Sequence, residues 1–232
     1  MGAKRSRGAK RIIVGLWRLS VAVLCFVATA GAWSVPVRWV YASFQMGLLA
    51  GLVMLWAGAA TLIDGIQPPA WLKNGVTVYM VVVGGVSLAL PSFPSAVASW
   101  GMSPVLGVSV ETMVRLVIPA VLVVDFLLVD DHRRSRWTHL LTWLSYCPIY
   151  LAFVLIRAAL WPSSGPAAGG GAYPYDAIDI RSLGWIQWGI NCLQLAAACA
   201  AAGLMVFLVD RILPARSLLG TGGRSPKSSQ KR

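Results

Sequence analysis

Apolar runs about as long as a bilayer core is thick follow one another along this chain, separated by short polar or Gly/Pro-rich stretches. A helix rises ~1.5 Å per residue, so about 20 apolar residues span the hydrocarbon. The pattern predicts helices over residues 12–33, 40–63, 75–90, 112–129, 138–161 and 184–209. Pro148 falls inside the fifth and predicts a kink, because proline lacks the N–H and its ring clashes with the preceding turn. Gly47 and Gly51 in the second form a small-xxx-small face that lets helix backbones approach closely. Residues 91–110 carry no charge and include Pro91, Pro94, Gly101 and Pro104, which predicts an apolar interfacial or re-entrant loop.

Composition agrees with this pattern. Only 12% of the 232 residues are charged and 57% are hydrophobic, against about 25% charged in a soluble domain. The expected fold class is all-α, a polytopic membrane protein with six transmembrane helices in one domain over residues 12–210. Basic tails at 1–11 and 211–232 flank it, the second expected to be disordered. Residues 19–27 also resemble the h-region of a signal peptide, and Ala28-Thr29-Ala30 matches an A-x-A site, so cleavage there is an alternative to a retained first span.

The net charge of +12 is unevenly placed. Fifteen Lys and Arg fall in the tails and in the stretches on their side (Lys73, Arg133, Arg134 and Arg136 among them). The opposite side has two, Arg38 and Arg181, and three more lie in spans. Positive flanks mark a cytoplasmic face, so both termini are expected to be cytoplasmic, in a multi-pass protein of the cell (plasma) membrane. The same placement argues against nucleic acid, whose readers present a folded basic surface.

Ionisable residues inside spans are expensive and need a partner or a purpose. Arg18 and Asp125 match in depth near the cytoplasmic side and are expected to form a buried ion pair. Ser43, Arg115 and Arg157 lie roughly 5–6 Å below the outer interface by helical rise. Gln45 and Gln187 fall near that depth, and the outer loops add Glu111, Tyr173, Tyr175, Asp176 and Asp179. These residues suggest a pocket for an anionic amphiphile, with Arg115, Arg157, Gln45, Asp176 and Asp179 as ligand-binding candidates. Arginines at that depth can instead snorkel, with Asp176 or Asp179 as structural partners.

The four cysteines fall in apolar runs without metal-ligand spacing and read as small packing residues. His132 and His139 flank a basic loop and read as solvated. The Gly220–Ser225 stretch lacks both the GxxxxGK[ST] pattern and a preceding strand. No metal site and no cofactor is expected.

Several motifs together resemble a known family. They are Arg115-x-x-x-Pro119, Val124-Asp125-Phe126-Leu127-Leu128, Trp143-Leu-Ser-Tyr-Cys-Pro148-Ile-Tyr150, Arg157 and Tyr173-Pro-Tyr-x-x-x-Asp179. They resemble the bacterial six-span Pr-six-Pr family, which is similar in turn to the androgen-induced and androgen-dependent membrane proteins, threonine hydrolases of fatty-acid esters of hydroxy fatty acids. The resemblance covers the second to sixth runs and is most specific from 115 to 180. It implies a nucleophilic hydroxyl near the start of the second span, where this chain has Ser43, and a histidine partner where this chain has Arg115. An arginine cannot accept the nucleophile's proton at neutral pH, which leaves Asp179 or Asp176, in a different geometry, as the substitute base.

Two function classes follow. One is a degenerate lipid-ester hydrolase with Ser43 as the catalytic nucleophile and the arginines holding a lipid carboxylate. The other is a non-catalytic protein: a binder of lipid or a lipid-like small molecule, a transporter component or a structural membrane protein. Membrane lipids are the expected partners of either.

Overall fold

The computed structural model describes residues 2–89, 103–163, 165, 171–216 and 218–219. All regular structure among them is helical, and one isolated bridge joins Val105 to Val108. The order is α1 (Gly2–Thr29), α2 (Gly31–Ser34), a 3-10 turn (Pro36–Val40), α3 (Ala42–Ile63), α4 (Ala70–Ala89), α5 (Val110–Thr112), a π turn (Met113–Val117), α6 (Ile118–Leu128), α7 (Trp137–Leu144), α8 (Tyr146–Leu160), a 3-10 turn (Asp176–Ile178) and α9 (Ile180–Ile212).

Four helical stretches are long and apolar enough to cross a membrane: Gly8–Ser34, Ala42–Ile63, Trp137–Leu160 and Ile180–Ile212. They fit a membrane-embedded protein, and large apolar side chains such as Ile149, Ile156, Ile186 and Leu193 point outward from them. Of the other two expected spans, residues 75–90 fall largely in α4, whose apolar stretch Ala70–Val86 is shorter than those four. Residues 112–129 are divided among the end of α5, the π turn and α6. Residue 90 of the third predicted span, residues 91–102 of the predicted apolar loop and most of the C-terminal tail lie outside the described residues.

Local chemistry explains the boundaries. The π turn precedes Pro119, which has no N–H to give the Arg115 carbonyl, so the backbone there leaves the regular α pattern. The break between α7 and α8 falls at Ser145, one turn before Pro148, for the same reason. α3 ends on Asp64, whose left-handed φ of 56° turns the chain while its N–H returns to the Ala60 carbonyl. Asp179 caps α9, its carboxylate accepting from the Arg181 N–H at 2.9 Å. Gly184, with φ 72°, breaks α9 one turn later.

α1 lies along α3 through glycines. A Cβ on Gly51 would sit 2.8 Å from the Phe26 ring, and one on Gly58 would sit 3.1 Å from the Leu19 backbone nitrogen. Trp143 joins α4, α7 and α9: it is buried, its Nε1 donates to the Trp71 carbonyl at 2.7 Å, and its ring covers Gly75.

The tail-side end of the bundle holds a closed ionic cluster. Arg18 Nε donates to Asp125 Oδ1 at 3.2 Å and Arg18 Nη2 to Asp130 Oδ1 at 2.6 Å. Lys73 Nζ donates to Asp125 Oδ2 at 2.5 Å and also to Asp130 Oδ1. Thr61 Oγ1 and Gln67 Oε1 accept from Arg18 Nη1 at 3.2 and 3.3 Å. Two cations and two anions cancel, which is how charges persist in an apolar interior. The cluster thus contains Arg18 and Asp125 together with two residues expected in loops. α4 begins at Ala70, ahead of the predicted start at 75, so Lys73 is a buried helical residue.

Beside the cluster the loop after α6 is clasped to the end of α9. The Ser135 N–H donates to Asp210 Oδ2 at 2.9 Å, Asn74 Nδ2 donates to Ser135 Oγ at 2.9 Å, and the Arg133 N–H donates to the Asp210 carbonyl. His132, expected to be solvated, is buried instead, its Nδ1 lying 3.8 Å from Asp210 Oδ1. The backbone clasp pulls it under the loop. His139 stays half-exposed, its Nδ1 accepting from the Arg136 N–H at the start of α7.

Candidate functional site

At the other end of the bundle, α3, α4, α8 and α9 enclose a cavity of about 420 Å³. Pockets of about 300–1,000 Å³ with mostly apolar walls and a few placed polar groups are the usual form of small-molecule sites. Leu183 lines it before the break at Gly184, and beyond the break the lining follows one face of α9 from Asn191 to Cys199, about 12 Å by helical rise. A strip of that length suits a chain-like molecule.

Its polar groups gather at the mouth. Ser43, in the first turn of α3, is buried and lines the cavity. Arg115 enters from the π turn, and Tyr175 and Asp176 come from the segment before α9. Asn191 lines the cavity from α9 and donates to the Ala177 carbonyl at 2.8 Å, which ties that segment to the helix. The Arg115 guanidinium is bonded on one side, Nη1 donating to Glu111 Oε1 at 2.6 Å one turn earlier. Its Nε and Nη2 donors have no such partner among the described residues.

Aromatic hydroxyls line the walls. The Tyr41 and Tyr175 rings meet edge to face at 5.5 Å. Burial pushes the Tyr175 phenol above the ordinary range, while the Arg115 charge and contacts with Ser43 pull the other way. Burial raises Tyr41 likewise, so both are neutral hydroxyls at neutral pH. Deeper in, Tyr79 and Tyr146 pack at 4.9 Å and Tyr146 stacks on Tyr150 at 5.8 Å. Tyr150 donates to the Val40 carbonyl at 2.8 Å, and Tyr146 donates to Gln45 Oε1 at 2.9 Å.

Of the residues singled out in the sequence, Ser43, Arg115 and Asp176 share this cavity, with Tyr175 between them. Gln45 stands behind the wall, holding Tyr146 and donating to the Trp39 carbonyl at 2.7 Å. Arg157 and Asp179 are not among the lining residues: Arg157 Nη1 donates to the Ala172 carbonyl at 3.5 Å, and Asp179 is the cap of α9. Tyr173 is not among the lining residues but is buried in the adjoining apolar group with Tyr150 and Val154. Gln187 bonds Asn191 one turn along α9. The expectation of two arginines in one pocket therefore reduces to Arg115 alone.

Tyr79, Tyr146, Tyr150, Asn191, Cys147 and Cys199 are not among the candidate site residues of the sequence, because each lies inside an apolar run. Helical spacing carried a signal for them. Tyr146 and Tyr150 are four apart, and Asn191, Gln194, Leu195, Ala198 and Cys199 follow the i, i+3, i+4, i+7, i+8 pattern of one helix face.

Neither histidine reaches Ser43. His132 sits beside Asp210 in the clasp at the cluster end. Ser43 and Thr61, which lies in that cluster, are separated by about 27 Å along α3. A second, open groove of about 780 Å³ lies between α1 and residues 103–110. Its charged lining is Arg38, which donates to the Gly31 carbonyl at 2.8 Å.

No family model matches this chain, and neither does any curated protein or solved structure.

Proposed function

We propose that this protein is a six-span membrane protein that holds an anionic amphiphile in the cavity between α3, α4, α8 and α9, with the headgroup at Arg115 and the chain along α9. The observation that carries this reading is a half-bonded arginine, Arg115, facing a cavity with apolar walls. Planar arginine suits a carboxylate or phosphate through two parallel bonds. Ser43, Tyr175 and Asn191 supply neutral polar groups around it, and Glu111 balances the charge of the empty site.

α4 and the stretch from α5 to α6 complete six spans in this reading, with both tails in the cytoplasm of a plasma-membrane protein. The first span is retained, since α1 supplies Arg18 to the cluster and packs along α3. The resemblance to lipid-ester hydrolases supports a lipid-shaped ligand more than it supports hydrolysis. Of the groups that share the cavity with Ser43, Tyr175 and Arg115 are not bases at neutral pH, and Asp176, from the turn before α9, has no hydrogen bond to Ser43 among the described residues. A binding protein is the better reading for that reason.

Native mass spectrometry of the full chain, released gently from membranes, tests it. A co-purified anionic species that is lost on Arg115→Gln supports the proposal. Recovery of only apolar or zwitterionic lipid, unchanged by that variant, contradicts it.

A further inference from the structure

The inner end of the same cavity carries two thiols that neither the fold nor the headgroup reading uses. Cys147 on α8 and Cys199 on α9 line the wall, and their sulfur atoms lie 2.7 Å apart. The two thiols face each other across two helices, 52 positions apart in the chain, with their sulfurs near enough for a disulfide, about 2.05 Å long, to join them. The other cysteines differ. Cys25 is buried where α1 meets Gly51 of α3, and Cys192 has no sulfur partner among the described residues.

Access to the pair is selective. Cys199 is buried and Cys147 half-buried, and the cavity around the two sulfurs is walled by Tyr79, Tyr146 and Leu195. A charged oxidant dissolved in water would have to be desolvated to reach them, at a high penalty. A flat, apolar molecule dissolved in the bilayer would not.

We propose that Cys147 and Cys199 form a reversible redox site, a dithiol that closes to an interhelical disulfide with a membrane-dissolved quinone as oxidant. The chemistry balances: two S–H bonds break, one S–S bond forms, and the two electrons and two protons reduce the quinone to its quinol. The product staples α8 to α9 at the cavity's inner end, turning a helix contact into a covalent tie. It does not depend on the headgroup site at Arg115, which lies at the mouth.

The test uses the full chain, reduced and reconstituted in lipid discs, then exposed without oxygen to a short-chain benzoquinone. One quinol per protein, together with a Cys147–Cys199 cross-linked peptide under non-reducing mass spectrometry, is the expected result. Cys147→Ser and Cys199→Ser should each slow quinol formation at least tenfold, and Cys192→Ser should leave it unchanged. Oxidised glutathione, confined to water, should form the cross-link at least tenfold more slowly than the quinone. Wild-type protein yielding neither quinol nor cross-link overturns the site. Loss on Cys192→Ser, or equal rates with the two oxidants, overturns the assignment of the pair or of its route of access.

Discussion

Replacing Asp125 with alanine removes one of two anions from the buried cluster and leaves Arg18 and Lys73 facing Asp130 alone. Asp125 meets both cations, at 3.2 Å from Arg18 and 2.5 Å from Lys73. At an effective dielectric of ~20, unit charges at those separations attract by roughly 5–7 kcal/mol before desolvation is subtracted. The surviving net positive charge sits at side chains only 5% and 8% exposed, so water cannot screen it. Breaking such a pair by removing one member typically costs about 3–5 kcal/mol. The assay is thermal or denaturant unfolding of the whole protein in one detergent, with the half-exposed Leu127→Ala as control. Lys73→Met in the Asp125→Ala background restores neutrality, leaving Arg18 with Asp130. It should therefore recover much of the loss, with a coupling of about 2–3 kcal/mol between the two sites. Wild-type stability for Asp125→Ala, or simple addition of the two single effects, would refute the claim that this is a closed, mutually neutralising group.

Gly58→Ala should lower stability by about 1–3 kcal/mol, because its Cβ would press on the Leu19 backbone and force α1 away from α3. Gly85→Ala, with open space around it, should be neutral or slightly stabilising in the same melts, and a reversed order contradicts the packing. Asp210→Ala removes the acceptor that clasps Ser135, so trypsin should cut at Arg133, Arg134 or Arg136 several-fold faster in vesicles exposing that face; unchanged cleavage contradicts the clasp. Reporter fusions after Arg136 and after Ala168 should report opposite sides of the membrane, and the same side for both would undo the six-span topology.

The legible part of this fold was the part governed by hydrophobic length. Runs of apolar residues predicted α3 and α9 within a few positions, since nothing in them competes with a helix until Asp64 and Gly184 impose their turns. The boundaries near charge were harder. Lys73 reads as a loop cation in sequence, because only the approach of Arg18, Asp125 and Asp130 makes its burial tolerable. His132 reads as solvated for a similar reason: its burial follows from the Asp210 clasp, a contact 78 positions away. At the cavity, helical depth was enough to group Ser43 with Arg115. Depth says nothing about rotation around a helix axis, so it could not tell that Arg115 lines the cavity while Arg157 does not. Cys147 and Cys199 meet across α8 and α9, 52 positions apart, which a count of cysteines could not reveal.

The most direct test of the ligand site is equilibrium binding of a long-chain fatty-acid carboxylate to the reconstituted protein, compared among wild type, Arg115→Gln and Arg157→Gln. Charge-assisted hydrogen bonds are worth about 1.5–3 kcal/mol, which corresponds to roughly 10–150-fold in affinity at 1.4 kcal/mol per decade. Arg115→Gln should weaken binding by that factor with the melting temperature preserved. Arg157→Gln, outside the cavity lining, should bind as wild type does. Equal affinity in all three proteins would contradict a headgroup site at Arg115.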